Sequence, residues 1–319
     1  MSSTSQALGP KEPPEPPNRV TGQPYRRRSA QAGGLVASPL PMSYPAALHV
    51  TSRPASAPGA ATVIFVHGSL DRGESFRRVM RRLPDLTTIA YDRRGYQSSR
   101  DGGVVDLGWH IEDLLAVAEA SWVAAGSGGG PGGPVVAVGH SLGGDVVIGA
   151  ALAEPRAFDA IGAFEPPMPW LGFRRDQGHS RPARPWPALA EDPGVEAERF
   201  FSRIVGEASW SRLTEVGRES RRADGPALVA DLRSLRGEGP PFDVCELGIP
   251  SVFGMGGQAT QPHHRRSVQW LAANVPGAVH YEIDGAQHGA HLSHPDHFAA
   301  MTRLVVERAG GTDGSVDAT

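Results

Sequence analysis

The chain is expected to fold as an α/β protein, with a mostly parallel twisted sheet flanked by helices. Three observations point there. Short apolar runs alternate with longer helical patterns, the signature of strands joined by crossover helices. Most of those runs are continuous rather than alternating, as in strands covered on both faces. One run, Val135-Val136-Ala137-Val138, drives straight into the G-x-S-x-G turn Gly139-His140-Ser141-Leu142-Gly143, and an apolar helical pattern, Val146 to Leu152, follows at once.

Taken in order, the strand signals are weak at Ala47 to Thr51 and clear at Thr62 to Val66, Thr87 to Tyr91 and Val135 to Val138. They continue at Ala160 to Phe164, Pro250 to Phe253 and Val279 to Ile283. Between the third and fourth, His110 to Ala124 reads as a helix. Its Ile111, Leu114, Leu115, Ala118 and Trp122 share one stripe and should pack on the sheet. Gly126 to Gly133 reads as a loop. Residues 166–247 have a different texture, opening with proline and tryptophan (Pro166-Pro167-Met168-Pro169-Trp170, Arg184-Pro185-Trp186-Pro187) and continuing as helical patterns at 195–205, 209–222 and 227–235. This stretch is expected to be a helical lid inserted after the sixth strand, with more strands upstream of Thr62 than Ala47 to Thr51 alone, between a first core segment, 45–165, and a second, 248–309. Residues 1–44, rich in Pro, Ser, Gly and Arg, and 310–319 are expected to be disordered tails, with Met42 as an alternative translation start.

With 319 residues the chain is long enough to bury a substantial core. A net charge of −3 supplies no electrostatic case for nucleic acid. The arginine runs at Arg26-Arg27-Arg28, Arg77-Arg78 and Arg81-Arg82 read as solvated faces. No run approaches the ~20 apolar residues of a membrane span, and the N-terminus lacks the apolar core of a secretory signal. A triple arginine before Ala32 to Ala37 resembles a twin-arginine export signal only faintly, because its apolar part is short and glycine-rich. The single cysteine, Cys245, excludes an intrachain disulfide and thiolate metal clusters and fits a reducing cytoplasm. The partner expected is a small-molecule substrate, with a homodimer as the assembly to test.

The serine turn carries the first chemical expectation. A serine at the apex of a sharp strand-to-helix reversal sits in strained backbone geometry, so Gly139 and Gly143 must be small for the chain to pass. The turn directs the Leu142 N–H at an oxyanion forming on the substrate and sets the positive end of a helix dipole beneath it. Ser141 is therefore the candidate nucleophile.

Four motifs in chain order resemble the α/β-hydrolase fold superfamily, from roughly Ala46 to Ala309. They are His67-Gly68 at a strand end, Tyr91-Asp92-Arg93-Arg94-Gly95-Tyr96-Gln97-Ser98-Ser99 after the next strand, the turn at Gly139 to Gly143, and Gly285-Ala286-Gln287-His288 after the last strand. The best likeness is to lid-bearing bacterial esterase, lactonase or haloperoxidase-like members. The resemblance implies that the Ser69 N–H is the second oxyanion donor and that His288 is the catalytic base, a role suited to imidazole near neutral pH. It implies a structural role for His67 and for the turn pinned by Asp92 and an arginine, and no cofactor. His288, His291, His294 and His297 recur every third residue, but Pro295 restarts the backbone and only Asp296 joins them, so no metal is expected.

The acid departs from the usual pattern. Most of the superfamily has an aspartate after the strand at Ser251 to Phe253, yet Gly254 to Gln261 holds no carboxylate. A minority places the acid after the preceding strand, as some haloalkane dehalogenases do. Glu165 stands there, at a strand's C-terminal end where crevice residues gather, and is assigned to orient His288. Asp284 is the alternative, and Asp145 is read as favourable charge in the first turn of the nucleophile helix. Asp71-Arg72 is expected to be a surface turn or a polar contribution to the site. Met168, Trp170, Trp186, Phe200 and Phe201 are expected to line an acyl pocket or to form the lid's own core. The activity implied is hydrolysis of a small, largely apolar ester or lactone through an acyl-enzyme. The rivals are a cofactor-free haloperoxidase or perhydrolase and a binding protein without turnover.

Overall fold

The computed structural model describes residues 44–45, 47–125, 133–171, 188–236, 242–257 and 261–311. The expectations for both tails apart from their innermost residues, for Met42, for Arg26 to Arg28 and for Trp186 lie outside these residues, as does most of the 126–133 loop. Among the described residues seven strands form one sheet: β1 Val50–Arg53, β2 Thr62–Val66, β3 Thr87–Tyr91, β4 Val135–His140, β5 Ala160–Phe164, β6 Ser251–Gly256 and β7 Val279–Ile283. Their order across the sheet is β1-β3-β2-β4-β5-β6-β7. Only β1 runs antiparallel, pairing Val50 with Tyr91, and every other pairing is parallel.

Side chains alternate between the faces along each strand, and the core divides accordingly. Ile64 and Val66 point into a cluster with Leu114, Leu115 and Ala118 of α2 (Leu107–Ala125). Val146 to Ala151 of α3 (Leu142–Ala153) and Val268 and Leu271 of α8 (Pro262–Asn274) complete it. Val63 and Phe65 point the other way, against Val79 and Met80 of α1 (Arg77–Met80) and Phe298, Met301 and Val305 of α10 (Pro295–Ala309). Strands β2, β4, β5 and β6 are buried throughout, whereas edge strand β7 alternates in exposure. The stripe expected on α2 therefore packs on the sheet, with Ile111 and Trp122 flanking it.

Among the described residues between β5 and β6 there are four α-helices, α4 Pro193–Val205, α5 Glu207–Ser211, α6 Glu215–Ala223 and α7 Gly225–Leu235; α9, at Ala290–Ser293, precedes α10. The helix expected over 209–222 is broken in two, because Thr214 caps α6 by accepting the Gly217 N–H at 3.1 Å. The inserted segment follows the fifth described strand, not the sixth, since only β1 precedes Thr62 in this sheet. Leu70, Ala197, Phe201, Trp210, Leu228 and Leu232 form a separate small core. Phe200 packs on that core, Met168 belongs to the main core, and Trp170 meets Phe242 edge to face at 5.7 Å. Phe200 and Phe201 thus belong to the core of the inserted helices, the second of the two readings, whereas Met168 and Trp170 pack with the main core. Among the described residues, no helix is long and apolar enough to cross a membrane.

Candidate active site

The strand order reverses at β2, which has β3 on one side and β4 on the other. Open α/β sheets bind ligands at such a switch point, beyond the carboxyl ends of the strands. The ends of β2, β4 and β5 carry His67, Ser141 and Glu165.

Ser141 holds φ 53° and ψ −129°, a region rarely adopted by residues other than glycine. Its N–H donates to the Phe164 carbonyl at 2.9 Å, and its carbonyl accepts from Gly144 at 2.7 Å. A Cβ on Gly143 would run into the Val66 carbonyl, and one on Gly139 into the Gly143 carbonyl, so the turn requires both glycines. Leu142 begins α3, and the first N–H of a helix has no intrahelical partner. The turn is also tight against the His67-Gly68 loop: a Cβ built on Gly68 would lie 2.8 Å from the Ser141 Cβ.

Glu165 is fully buried and also has a positive φ, 49°. Backbone strain of this kind costs about 1–3 kcal/mol per residue and persists where the surroundings over-determine it. Here the Glu165 N–H donates to Gly254 O at 2.9 Å, and Oε1 accepts the Gly256 N–H at 2.8 Å. The other oxygen, Oε2, lies 2.7 Å from His288 Nδ1. The contact fixes Nδ1 as the protonated nitrogen and leaves Nε2 as the basic one. Asp284 is exposed and, among the described residues, makes no such contact. The Ser141 hydroxyl has no hydrogen bond to His288 among the described residues, and bonds of this kind often close only around substrate.

Four imidazoles crowd the site. The His140 ring lies 4.7 Å from that of His288 and donates Nε2–H to the His288 carbonyl at 2.8 Å. His264 of α8 stacks on His288 at 4.3 Å and 15°. Burial holds His140 and His264 well below the usual imidazole range, and the close approach of the other imidazoles disfavours a second positive charge in the same direction. Both neighbours thus stay neutral and do not oppose a positive charge forming on His288. His291 pairs instead with Asp71, Nε2 to Oδ2 at 3.2 Å. Burial opposes the Asp71 charge, yet the hydrogen bond and charge of His291 hold its carboxyl below the usual range.

The histidine series therefore splits: His288 meets Glu165, His291 meets Asp71, and His294 meets Ser293. Two groups bring ligand-type atoms within 4.8 Å of one another, Asp71 with His140 and His291, and Glu165 with His264 and His288. In each, a carboxylate and one imidazole already engage each other. Asp71 thus joins the polar surroundings of the site. Asp145, fully buried in α3, does not act as a charged cap, because burial pushes its carboxyl well above the usual range.

His67 has the structural role expected. The Arg93 N–H donates to Nε2 at 2.8 Å, so Nδ1 carries the proton and donates to Gly68 O at 2.7 Å. Asp92 pins the following turn by accepting the Ser98 N–H at 3.2 Å and ties it to the loop after β2 by accepting the Gly73 N–H at 2.9 Å. Sequence reasoning missed Asp231 of α7, which accepts from Ser69 Oγ at 2.8 Å and pairs with the buried Arg93. A signal existed: Asp231 follows Ala227 by four residues and Leu228 by three, which puts an acid on the apolar stripe of the helix. His264, in the dipeptide His263-His264, carried no signal.

The sequence profile of the Alpha/beta hydrolase family matches residues 63–301. The chain belongs to this family. Lipase LipV of Mycobacterium tuberculosis is 32% identical over 116 residues, 36% of this chain and 41% of the lipase, so the match spans less than half of that protein. Among solved structures, an alpha/beta hydrolase from Sphaerobacter thermophilus superposes with a TM-score of 0.58 at 22% identity, covering 82% of this chain and 95% of the other. A thermophilic esterase from Thermogutta terrifontis gives 0.55 at 16% identity, covering 82% and 93%. Carboxylesterase CesB from Bacillus subtilis gives 0.53 at 15%, covering 81% and 87%. These structures share the fold with this alpha/beta hydrolase.

Proposed function

We propose that this alpha/beta hydrolase cleaves a small, largely apolar carboxylic ester or lactone through an acyl-enzyme, with the inserted helices acting as a lid. The observation that carries the reading is the 2.7 Å contact between buried Glu165 and His288 Nδ1, made at the strand ends where Ser141 stands on its strained turn. The lipase and esterase descriptions of the similar proteins support it.

In this mechanism Ser141 Oγ attacks the carbonyl carbon while its proton passes to His288 Nε2. Glu165 holds the imidazole in the tautomer that can accept that proton and stabilises the imidazolium. The Leu142 and Ser69 amides hold the oxyanion. His288 then gives the proton to the leaving alkoxide, and water, activated by the same imidazole, releases the acid. The view of the chain as a binding protein without turnover rested on the empty acid position after β6. The carboxylate of Glu165 against His288 supports turnover over that rival.

The test uses a fluorophosphonate probe and a p-nitrophenyl butyrate assay. Wild type should label at one serine and show burst kinetics, and Ser141→Ala should lose both. Labelling of Ser141→Ala at the wild-type rate would overturn the assignment.

A further inference from the structure

The segment inserted between β5 and β6 is bound to the core by buried polar contacts that converge beneath the oxyanion loop. Asp231 of α7 is almost fully buried and accepts from several donors of the core. Its Oδ2 accepts from Ser69 Oγ at 2.8 Å, Arg93 Nη2 at 2.8 Å and Tyr96 OH at 2.6 Å. Its Oδ1 accepts from Arg93 Nη1 at 3.1 Å and lies 3.3 Å from His110 Nε2. Arg93, fully buried, spends its remaining donors on the loop: Nε–H on His67 O at 3.0 Å and Nη2–H on Gly68 O at 3.2 Å. One residue further on, Arg221 of α6 donates Nη1–H to Leu70 O at 2.5 Å, while the Leu70 side chain enters the core of the inserted helices.

The Gly68 carbonyl and the Ser69 N–H belong to one peptide unit. A trans peptide is planar, so its C=O and N–H point in opposite directions. Whatever fixes the Gly68 oxygen therefore aims the Ser69 N–H. The Arg93 guanidinium and the His67 Nδ1–H do the first, and the tie from Ser69 Oγ to Asp231 holds the far side of the same unit.

We propose that Asp231 is a positioning residue for catalysis: through Arg93 and the Ser69 hydroxyl, the inserted helix α7 sets the direction of the second oxyanion donor. This rests on the reading of Ser69 as that donor in a serine hydrolase. Asp231 touches no reacting atom. It acts by holding a peptide plane, so its removal should weaken transition-state binding and leave ground-state binding alone.

The experiment compares full-length wild type, Asp231→Asn and Ser69→Ala. It measures kcat and KM for p-nitrophenyl butyrate and the inhibition constant of an alkyl trifluoromethyl ketone, whose serine adduct carries an oxyanion. Complete loss of one oxyanion donor costs roughly 10²–10³ in rate, which is the ceiling for misdirecting one. The expected result is a fall in kcat of about 10-fold in Ser69→Ala and up to about 10²-fold in Asp231→Asn, KM within threefold, and ketone affinity falling in parallel with kcat. If Asp231→Asn fails to fold, as judged by near-UV circular dichroism, Ser69→Ala decides, because it leaves the Arg93 pair intact. Wild-type kcat in the folded variants, or a loss confined to KM with unchanged ketone affinity, overturns the proposal. Failure of the underlying reading looks different: Ser141→Ala would then keep its turnover.

Discussion

Replacing Glu165 with Gln tests the acid most sharply, because the structure dictates which way the amide must face. The Oε1 position accepts the Gly256 N–H at 2.8 Å, and only the Gln carbonyl oxygen can replace it there. The amide NH2 is then left 2.7 Å from His288 Nδ1, where the carboxylate oxygen stood. Two donors cannot face each other, so His288 must present an unprotonated Nδ1 and carry its proton on Nε2. That tautomer cannot accept the proton of Ser141. The corresponding change in a Ser-His-Asp triad lowers kcat about 10⁴-fold, or about 5 kcal/mol at roughly 1.36 kcal/mol per tenfold. Burial makes that full figure appropriate here, since Glu165 has no exposed surface through which water can replace it. Steady-state hydrolysis of p-nitrophenyl butyrate, with the fluorophosphonate labelling rate as a second readout, measures the loss. Asp284→Asn, an exposed residue, should stay within about twofold by the same assays. Turnover of Glu165→Gln within tenfold of wild type would refute the assignment, and a large loss in Asp284→Asn would transfer the role.

Two further outcomes concern stability. Arg93→Met leaves Asp231 buried without its ion-pair partner, and breaking such a pair costs about 3–5 kcal/mol. Differential scanning fluorimetry should show a Tm fall of roughly 10 °C, at about 2–4 °C per kcal/mol for a domain of this size. The second is a pH dependence from His67, which burial, with the Arg93 charge in support, pulls down to about 4. The unfolded chain takes up this proton as pH falls through about 6.5, and the folded chain does not until about 4, so the stability is present above 6.5 and lost between. Urea unfolding should lose about 2 kcal/mol from this group between pH 7 and pH 5. The burial-lowered His140 and His264 add in the same direction, and His67→Asn should flatten the slope.

The fold was legible because each strand and helix announces itself locally. Continuous apolar runs at β2, β4 and β5 read as doubly covered strands, and the stripe from Ile111 to Trp122 read as a packing helix. The candidates Ser141 and Glu165 stand out in the sequence because turn chemistry and strand-end position restrict where such residues sit, and His288 only through the family resemblance; the structure brings Glu165 and His288 into contact. The contacts that cross between elements were not legible. Asp231 lies 138 residues from Arg93 in sequence, and nothing local in either segment names the other. Asp145 was misread for a related reason. A carboxylate in the first turn of a helix is stabilised when solvent shares the charge, and here α3 is buried on all sides, so desolvation outweighs the dipole.

The position of the Glu165 carboxylate, the candidate acid, follows from how the histidine loop meets the sheet. The end of β6 and the residue after it, Gly254 to Gly257, hold one methionine among three glycines, and this is where most of the superfamily carries its aspartate. In this chain a Cβ on Gly256 would strike the Ala286 carbonyl, two residues before His288, so the histidine loop rests directly on the backbone of β6. A side chain there would lift the loop away. Glu165 reaches the same space from β5 instead, and its own backbone makes this possible: the positive φ at the strand end turns the carboxylate across to β6. The glycine left at the vacated position then supplies its N–H to Oε1, so the strand that lacks the acid still holds it in place. The strained backbone at Glu165 and the bare strand end at Gly256 are two halves of one arrangement. The bare strand end at Gly256 leaves room for the histidine loop, and the turned backbone at Glu165 brings to His288 the carboxylate that a side chain at Gly256 has no space to supply.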